Sequence, residues 1–245
     1  KYAVLISKHL GANLSVVNIG GSVAQPDEIL RSFHFVADNT EELVSDYTFW
    51  STYLLSKAAH EKGYKVMLSG MGGDEVFAGY PRYLAVKYHS IIGLLAPILR
   101  FLKFTSLVPD SFSKKFDRLV SYINESNWNL GYSRLLGYFS RPELRSLFVD
   151  FDNLNKTYEE KLNEIEDCYV GDDDRVKLAQ HFDTSGFLAH NLIVADKASM
   201  LASIELRVPL LDESVYADGL KSKSDDLVVG ASLKHPLKHL LLSLL

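Results

Sequence analysis

Length, composition and charge exclude several classes of protein at once. The chain has 245 residues, 47% of them hydrophobic and 23% charged, which is enough for one large globular domain or two small ones. The net charge of −5 provides no basic field for nucleic acid, so we expect no nucleic-acid partner. Cys168 is the only cysteine, which excludes an internal disulfide and favours a cytoplasmic location.

The most apolar stretch and the two ends of the chain give two further expectations. Residues 91–102 are too few to span a bilayer, so they predict a buried helix, or a helix pair broken at Pro97, and no membrane partner. The chain begins at Lys1 without a methionine and ends on an apolar run, 240–245, that has no stop signal. We therefore expect a fragment of a longer protein.

In chain order, the first 69 residues predict two parallel strands joined by helix. The predicted elements are a helix over 2–10, a strand over Leu14–Ile19, a polar connection through Pro26, a helix start at 39–42, a helix over Trp50–Lys62 that stops at Gly63, and a strand over Tyr64–Ser69. A strand, a crossover helix and a second strand indicate a parallel pair with a right-handed connection.

Beyond residue 80 the apolar spacing predicts helices joined by short loops, and no strand before about Gly219. The clearest helices are Ser113–Ile123, Pro142–Val149, Lys156–Ile165 and a long apolar one over Phe182–Glu205. The expected fold class is therefore α/β, with a small parallel sheet followed by a largely helical half around one continuous core.

The most informative stretch is the turn over Gly70–Glu75, called the glycine turn below. Three glycines within four positions follow the second predicted strand, and Asp74 and Glu75 come next. Glycine lets a ligand approach the backbone closely, and ligands of open α/β sheets bind where strands end. A carboxylate together with phosphate oxygens suits Mg²⁺. The turn therefore predicts a phosphate and metal site; the simpler alternative is a tight turn in which Asp74 caps the next helix.

Four other motifs fit the glycine turn less well. A dinucleotide fingerprint needs a small residue where Glu75 stands, and a Walker loop needs lysine after its last glycine, whereas tyrosine follows Gly79. A nucleophile elbow needs serine where Met71 stands. Residues 72–76 also resemble the signature of diguanylate cyclases, but in those enzymes it lies on a hairpin, and the residues that follow here do not read as a strand.

Three blocks of the sequence resemble the synthetase domain of the asparagine synthetase family. Leu68–Tyr80 is similar to that family's second ATP-site motif. Residues 196–212 are similar to its long helix and the arginine–proline–aspartate turn that follows, and Ser232–Lys238 is similar to its lysine-bearing segment. The three blocks occur in the same order as in the family.

The resemblance implies a fold of the ATP-pyrophosphatase (adenine-nucleotide alpha-hydrolase) type and an ATP-dependent amide-forming ligase. ATP and Mg²⁺ would be its cofactors. A small-molecule carboxylate, aspartate or a sugar acid, would be adenylated and then attacked by ammonia that a glutaminase domain releases from glutamine. The roles that it implies are ATP binding for Ser69, Gly70, Gly72 and Gly73, metal binding for Asp74, and catalysis for Lys234, whose charge would steady the phosphates.

Several parts of the family pattern are missing, so residues 1–245 would be a partial synthetase domain. The Ser-Gly-Gly-x-Asp-Ser pyrophosphate loop does not occur in the sequence, nor does a glutaminase domain, and we expect the isolated chain to be inactive. Met71 stands where some members carry a glutamate or tyrosine, and methionine cannot transfer a proton. Lys197 replaces a common arginine, and Leu210 replaces a common phenylalanine.

The remaining candidates keep a functional and a structural interpretation. Glu75 and Met71 would serve either the substrate or the fold. Asp196 is expected to be a buried structural carboxylate, and Glu205 and Arg207 are expected to form an ion pair beside the proline turn. We expect no zinc at His235 and His239, because the glutamate of zinc proteases is missing between them.

Two other functions stay open for the whole protein. One is an amidotransferase that acts on a sugar or glycan carboxylate, and the other is a non-catalytic nucleotide-binding module with the same fold. Met71 motivates the second of these. A homodimer is also open.

Overall fold

The computed structural model describes residues 2–17, 26–40, 48–104, 110–137, 139–171 and 174–244. The elements in chain order are α1 Tyr2–His9, α2 Pro26–Asp38, α3 Thr48–Glu61, β1 Val66–Leu68, α4 Gly73–Val76, α5 Arg82–Lys87, α6 His89–Leu94, α7 Ala96–Phe104, α8 Asp110–Asn124, α9 Trp128–Leu136, α10 Arg141–Leu147, α11 Phe151–Asp167, α12 Arg175–Phe182, a π-helix Asp183–Leu188, α13 Ala189–Leu201, β2 Glu205–Arg207, a 3₁₀ turn Pro209–Leu211, α14 Glu213–Lys221, α15 Ser224–Leu227 and α16 His235–Leu244. Within these residues, no helix combines the length and apolarity that crossing a membrane requires. The predicted α/β class with a small parallel sheet is confirmed.

The chain folds as two compact units rather than around one core. Residues 1–69 and 190–209 form the sheet unit, and residues 70–189 and 210–245 form the helical unit. The buried apolar cluster of the sheet unit comprises Val36, Phe49, Tyr53, Val194, Ala198 and Ala202. A separate and larger cluster lies in the helical unit. The expectation of one continuous core is therefore wrong, because the apolar faces of α2, α3 and α13 form a cluster of their own.

The two strands lie in the sheet unit and pair in parallel. Val66 stands opposite Glu205 and Leu68 opposite Arg207, so the predicted strand before the glycine turn is confirmed. Its predicted partner, Leu14–Ile19, is wrong: residues 12–17 have no regular structure, and residues 18 and 19 lie outside the described part. The apolar pattern there is not buried, since Val16 is 78% exposed. The short β2 supplies the ladder instead.

Helix boundaries in the first hundred residues follow glycine and proline closely. Helix α3 ends just before Gly63, whose φ of +86° closes it, as predicted. The apolar stretch forms a helix pair, but the break lies at Leu95, between α6 and α7, and Pro97 is the second residue of α7, so the predicted break at Pro97 is wrong by two residues. The alternative of a buried helix is also wrong, since Leu94 is 82% and Phe101 67% exposed. The polar connection predicted at Pro26 is wrong, because α2 begins on that proline, where a missing N–H costs nothing. The helix start predicted at 39–42 is not tested, because residues 39 and 40 are non-helical and residues 41 and 42 lie outside the described part.

The later helices match the apolar periodicity, with one exception. Helices α8, α10 and α11 contain most of the predicted segments, but the long helix over Phe182–Glu205 is interrupted. It begins with the π-helix Asp183–Leu188 and continues as α13, which stops at Leu201. Ser203 then takes a left-handed φ of +56°, which turns the chain into β2. The expectation of no strand before Gly219 is therefore wrong.

The core of the helical unit anchors the segment that follows the glycine turn. Val76, Phe77 and Ala78 are 0%, 6% and 0% exposed, and they belong to the same cluster as the fully buried Tyr83 and Tyr132. Helix α4 is a single turn, too short to be stable alone, so this burial holds it in place.

Candidate functional site

Glycine is required by packing at one position of the glycine turn and not at another. Gly72 has a φ of +83° and is the N-cap of α4. A Cβ at this position would lie 2.2 Å from Leu211 Cδ2, so any other residue would need a strained backbone and a shift of the Leu211 side chain. At Gly70 the corresponding Cβ would meet nothing within 4 Å. The space beside Gly70 is open, which leaves room for a ligand to approach the backbone.

Asp74 lies within the first turn of α4 and does not cap it, so the alternative in which Asp74 acts only as a helix cap is wrong. Its Oδ1 is 3.0 Å from the Nζ of Lys234, and the two side chains are 38% and 30% exposed. Both belong to the helical unit. The structure therefore places the aspartate of the first block beside the lysine of the third, in a position that solvent reaches.

Lys234 has a left-handed backbone, and its side chain lies in space that two glycines leave open. It has a left-handed φ of +51° just before α16. A Cβ on Gly73 would lie 3.7 Å from its Nζ, and a Cβ on Gly79 would lie 2.2 Å from its Cε and 2.1 Å from Asp74 Oδ1. Glycine at position 79 therefore makes the space in which the lysine and the aspartate meet. A solvated lysine without a specific partner is excluded.

Glu75 points away from solvent and has a defined hydrogen-bond donor. It is 3% exposed, and its Oε1 accepts a hydrogen bond of 2.7 Å from the hydroxyl of Tyr80. Burial raises the pKa of Tyr80, and the hydrogen bond to Glu75 and the charge of that carboxylate raise it further. Tyr80 therefore stays protonated and remains a donor. This burial and hydrogen bond are consistent with the structural interpretation of Glu75.

Two carbonyl oxygens of α4 accept hydrogen bonds from donors that lie outside this helix. The Nε2 of the fully buried Gln180 donates to the carbonyl of Val76 at 2.6 Å, and the amide of Gly79 donates to the carbonyl of Asp74 at 2.7 Å. Since the last carbonyls of a helix have no partner within it, these bonds fix the end of this single turn.

A buried ion pair near the turn was not predicted from the sequence. Asp183, the first residue of the π-helix, is 0% exposed, and its Oδ2 accepts from Arg82 Nη2 at 2.8 Å and Nε at 3.1 Å. Tyr83 donates to the same oxygen at 2.6 Å. Burial raises the pKa of Asp183, although the Arg82 guanidinium acts against it. The available signals were an arginine directly after Pro81 and a carboxylate at the start of a long apolar helix.

Of the other predicted residues, Met71 is half-buried in the helical unit, and four lie in the sheet unit. The amide of Ser69 donates to the carbonyl of Arg207 at 2.8 Å and so continues the parallel ladder. The predicted pair of Glu205 and Arg207 is confirmed, with Nε 2.8 Å from Oε1, but both side chains are largely exposed. Asp196 is exposed on α13, so its expected role as a buried structural carboxylate is wrong.

The donor set at the turn suits a metal that arrives with its ligand. Among the described residues, no group of three or more histidine, cysteine, aspartate or glutamate side chains could hold a metal ion. Asp74 offers a single carboxylate whose side chain is 38% exposed. Mg²⁺ in phosphate sites is commonly held by one or two carboxylates together with substrate phosphates, and Asp74 fits that pattern.

Comparison with known proteins gives one family. The family described as Asparagine synthase matches residues 1–245. A protein named putative asparagine synthetase [glutamine-hydrolyzing], found in Mycobacterium bovis and in Mycobacterium tuberculosis, is 26% identical over 224 residues, which cover 89% of this chain and 33% of the relative. Asparagine synthetase [glutamine-hydrolyzing] 1 of Bacillus subtilis is 25% identical over 235 residues, covering 89% of this chain and 35% of the relative. The chain thus spans about a third of the length of these relatives, and no solved structure matches it significantly.

Proposed function

Because this chain belongs to the asparagine synthase family, we propose that it is part of the synthetase domain of an ATP-dependent amide-forming ligase. The observation that carries the proposal is the 3.0 Å contact between Asp74 and Lys234, since it joins two blocks that the resemblance links to ATP. The proposed fold is of the ATP-pyrophosphatase type, and residues 1–245 are the proposed partial domain.

The proposed reaction has two steps. A carboxylate oxygen of the acceptor attacks the α-phosphorus of ATP, and pyrophosphate leaves. Ammonia then attacks the acyl carbon, and the bond between that carbon and the AMP oxygen breaks with its electron pair going to AMP. The nitrogen loses a proton, which leaves the amide. The proposed acceptor is aspartate or a sugar acid, and the proposed nitrogen source is glutamine, as in the names of the relatives. A homodimer and a cytoplasmic location remain part of the proposal.

The chemical role of each residue follows from its position. Ser69, Gly70, Gly72 and Gly73 are the proposed ATP contacts, and the open space at Gly70 favours close approach of the nucleotide. Asp74 is the proposed metal ligand, and Mg²⁺, when bound, screens the phosphate oxygens. Lys234 is the proposed catalytic residue: its ammonium group pairs with Asp74 in the free protein and stabilises the charge on departing pyrophosphate in the reaction.

A second candidate is a module that binds nucleotide but does not form an adenylate. Met71 favours it, since this half-buried side chain cannot transfer a proton at the position where some family members carry an acid or a phenol. The two candidates share the nucleotide site and differ only in the chemical step.

Pyrophosphate exchange into ATP separates these possibilities. We expect full-length protein to exchange labelled pyrophosphate in the presence of either aspartate or a sugar acid such as glucuronate, which also identifies the acceptor. Asp74→Asn and Lys234→Met should each lower exchange by about 100-fold or more, whereas Lys238→Met, on the exposed side of α16, should not. Binding of Mg·ATP without exchange would favour the non-catalytic module, and equal exchange by Asp74→Asn would contradict the proposed site.

A further inference from the structure

A network of buried and half-buried polar side chains connects the glycine turn to the π-helix, and the proposed chemistry does not use it. Its members are Glu75, Tyr80, Arg82, Tyr83 and Asp183, all within the helical unit. They come from α4, from the segment after it, from α5 and from the π-helix. The network therefore joins positions that lie up to 108 residues apart in sequence, from 75 to 183.

The contacts form two paths from Asp183 to Glu75. In the first, Asp183 holds the Arg82 guanidinium, whose central carbon lies 3.7 Å from the centre of the Tyr80 ring, and the Tyr80 hydroxyl donates to the Glu75 carboxylate at 2.7 Å. In the second, the Tyr83 hydroxyl donates to Asp183 at 2.6 Å and lies 3.3 Å from the Glu75 carbonyl. Both paths end on the residue next to Asp74.

Stability alone does not account for this arrangement. Removing two charges from water costs free energy, and well-packed apolar residues of similar volume often stabilise a core as well or better. The π-helix carries an extra residue in its turn, a feature frequent at functional sites, and Asp183 is the residue at its start. A network of this kind fixes direction, which apolar packing does less well.

The orientation of the single-turn helix α4 depends on its contacts with the rest of the helical unit. A four-residue helix has no stability of its own, so the orientation of Asp74 depends on what anchors its neighbours. Glu75 faces the interior at 3% exposure, while the side chain of Asp74 is 38% exposed. Holding the Glu75 side chain therefore sets the direction in which the adjacent Asp74 carboxylate points.

We propose that Arg82 and Asp183 are positioning residues, which act through Tyr80 and Glu75 to aim the Asp74 carboxylate at the metal of bound Mg·ATP. The inference rests on the proposed function, because it takes Asp74 as the metal ligand. Residues that orient a metal ligand typically change metal affinity by about 10- to 100-fold when they are substituted.

Titration calorimetry of Mg·ATP, and of ATP with EDTA, tests this role on full-length protein. Tyr80→Phe removes only the hydroxyl and should weaken Mg·ATP binding by about tenfold, while metal-free ATP binding changes less than about twofold. Asp183→Asn keeps the side-chain shape and should give a loss at least as large. Tyr80→Phe should have no further effect in an Asp74→Asn background, since the carboxylate that it orients is then absent.

A core substitution off the network controls for general destabilisation. Leu162→Ala removes buried apolar volume from the same cluster without touching these hydrogen bonds, and it should leave both affinities unchanged at a comparable loss of Tm. If Leu162→Ala weakened Mg·ATP binding as much as Tyr80→Phe, or if Tyr80→Phe and Asp183→Asn bound Mg·ATP like the wild type, the positioning role would be overturned. If Asp74→Asn bound Mg·ATP like the wild type, the proposal that Asp74 binds the metal would be rejected, and the positioning role, which depends on it, would be rejected as well.

Discussion

Two arginine–carboxylate pairs in this chain have the same length and very different surroundings. Arg82 and Asp183, in the helical unit, are 2.8 Å apart with side chains 13% and 0% exposed. Arg207 and Glu205, in the sheet unit, are also 2.8 Å apart, but their side chains are 62% and 59% exposed. The distance is therefore no guide to what either pair does.

The difference lies in what happens when one partner is removed. Water solvates either member of the exposed pair as soon as the other is lost, so that pair contributes little. The buried carboxylate has no such replacement, and its loss of Arg82 would leave a charge in the interior with only tyrosine hydroxyls to hold it. Burial thus turns an ordinary contact into one on which the helical unit depends.

The largest expected effect comes from breaking the buried pair. Arg82→Met should lower the free energy of unfolding by about 3–5 kcal/mol, because it leaves Asp183 charged and underpaired. Urea unfolding followed by fluorescence measures this: Trp50 lies in the sheet unit and Trp128 in the helical unit, so single-tryptophan versions report each unit separately. Arg207→Met is the matched control and should leave both transitions where they are. Equal effects of the two substitutions would contradict the comparison.

A smaller effect is expected from glycines in the two units. Gly72→Ala should cost about 1–2 kcal/mol for its left-handed backbone and about 1 kcal/mol more because the Leu211 side chain must shift. Gly63→Ala, in the sheet unit, has a similar φ of +86° but open space around it, so it should cost the first amount only. Gly70→Ala should cost neither. Urea unfolding of the three variants tests this order of stability losses. An equal loss of unfolding free energy for Gly63→Ala and Gly72→Ala would contradict the extra cost assigned to the Leu211 contact.

The smallest effect concerns pH. Burial lowers the pKa of His89, as does the charge of Arg175, and its Nδ1 has no hydrogen-bond partner. A lowered pKa in the folded state means that stability present at neutral pH is lost as the pH falls through that pKa. Between pH 7.5 and pH 5, His89→Gln should therefore lose less of its unfolding free energy than the wild type does. The difference should be under about 1 kcal/mol, because His89 is partly exposed. An identical pH dependence in wild type and His89→Gln would refute the effect.

Periodicity predicted most helices because it reports burial of one face. Helices α3, α8 and α11 follow their apolar spacing and the strand before the glycine turn is correct, since each is decided by nearby residues. The elements that were predicted wrongly depend on residues that are distant in the sequence. Strand pairing depends on a partner, and β2 has only three residues, too few for a pattern. Residues 14–17 have an equally good strand pattern but no ladder.

The candidate site was predictable to the extent that its chemistry is local. Glycines followed by Asp74 indicate phosphate and metal, and the resemblance supplied Lys234 as their partner. Nothing local indicates that Arg82 pairs with Asp183, since a hundred residues separate them and each would be an unremarked charge on its own. The π-helix has no sequence signature either, because one inserted residue leaves the apolar pattern nearly intact.

The contact between Asp74 and Lys234 has a consequence for how the protein is made. During synthesis the glycine turn is completed well before position 234 leaves the ribosome, about 10–30 s earlier at ordinary rates of elongation. Throughout that interval the nascent chain carries the aspartate without its counter-charge and without the lysine that fills the space beside Gly73 and Gly79. A polypeptide truncated before Lys234 would keep every residue of the turn and lack the cation that completes it.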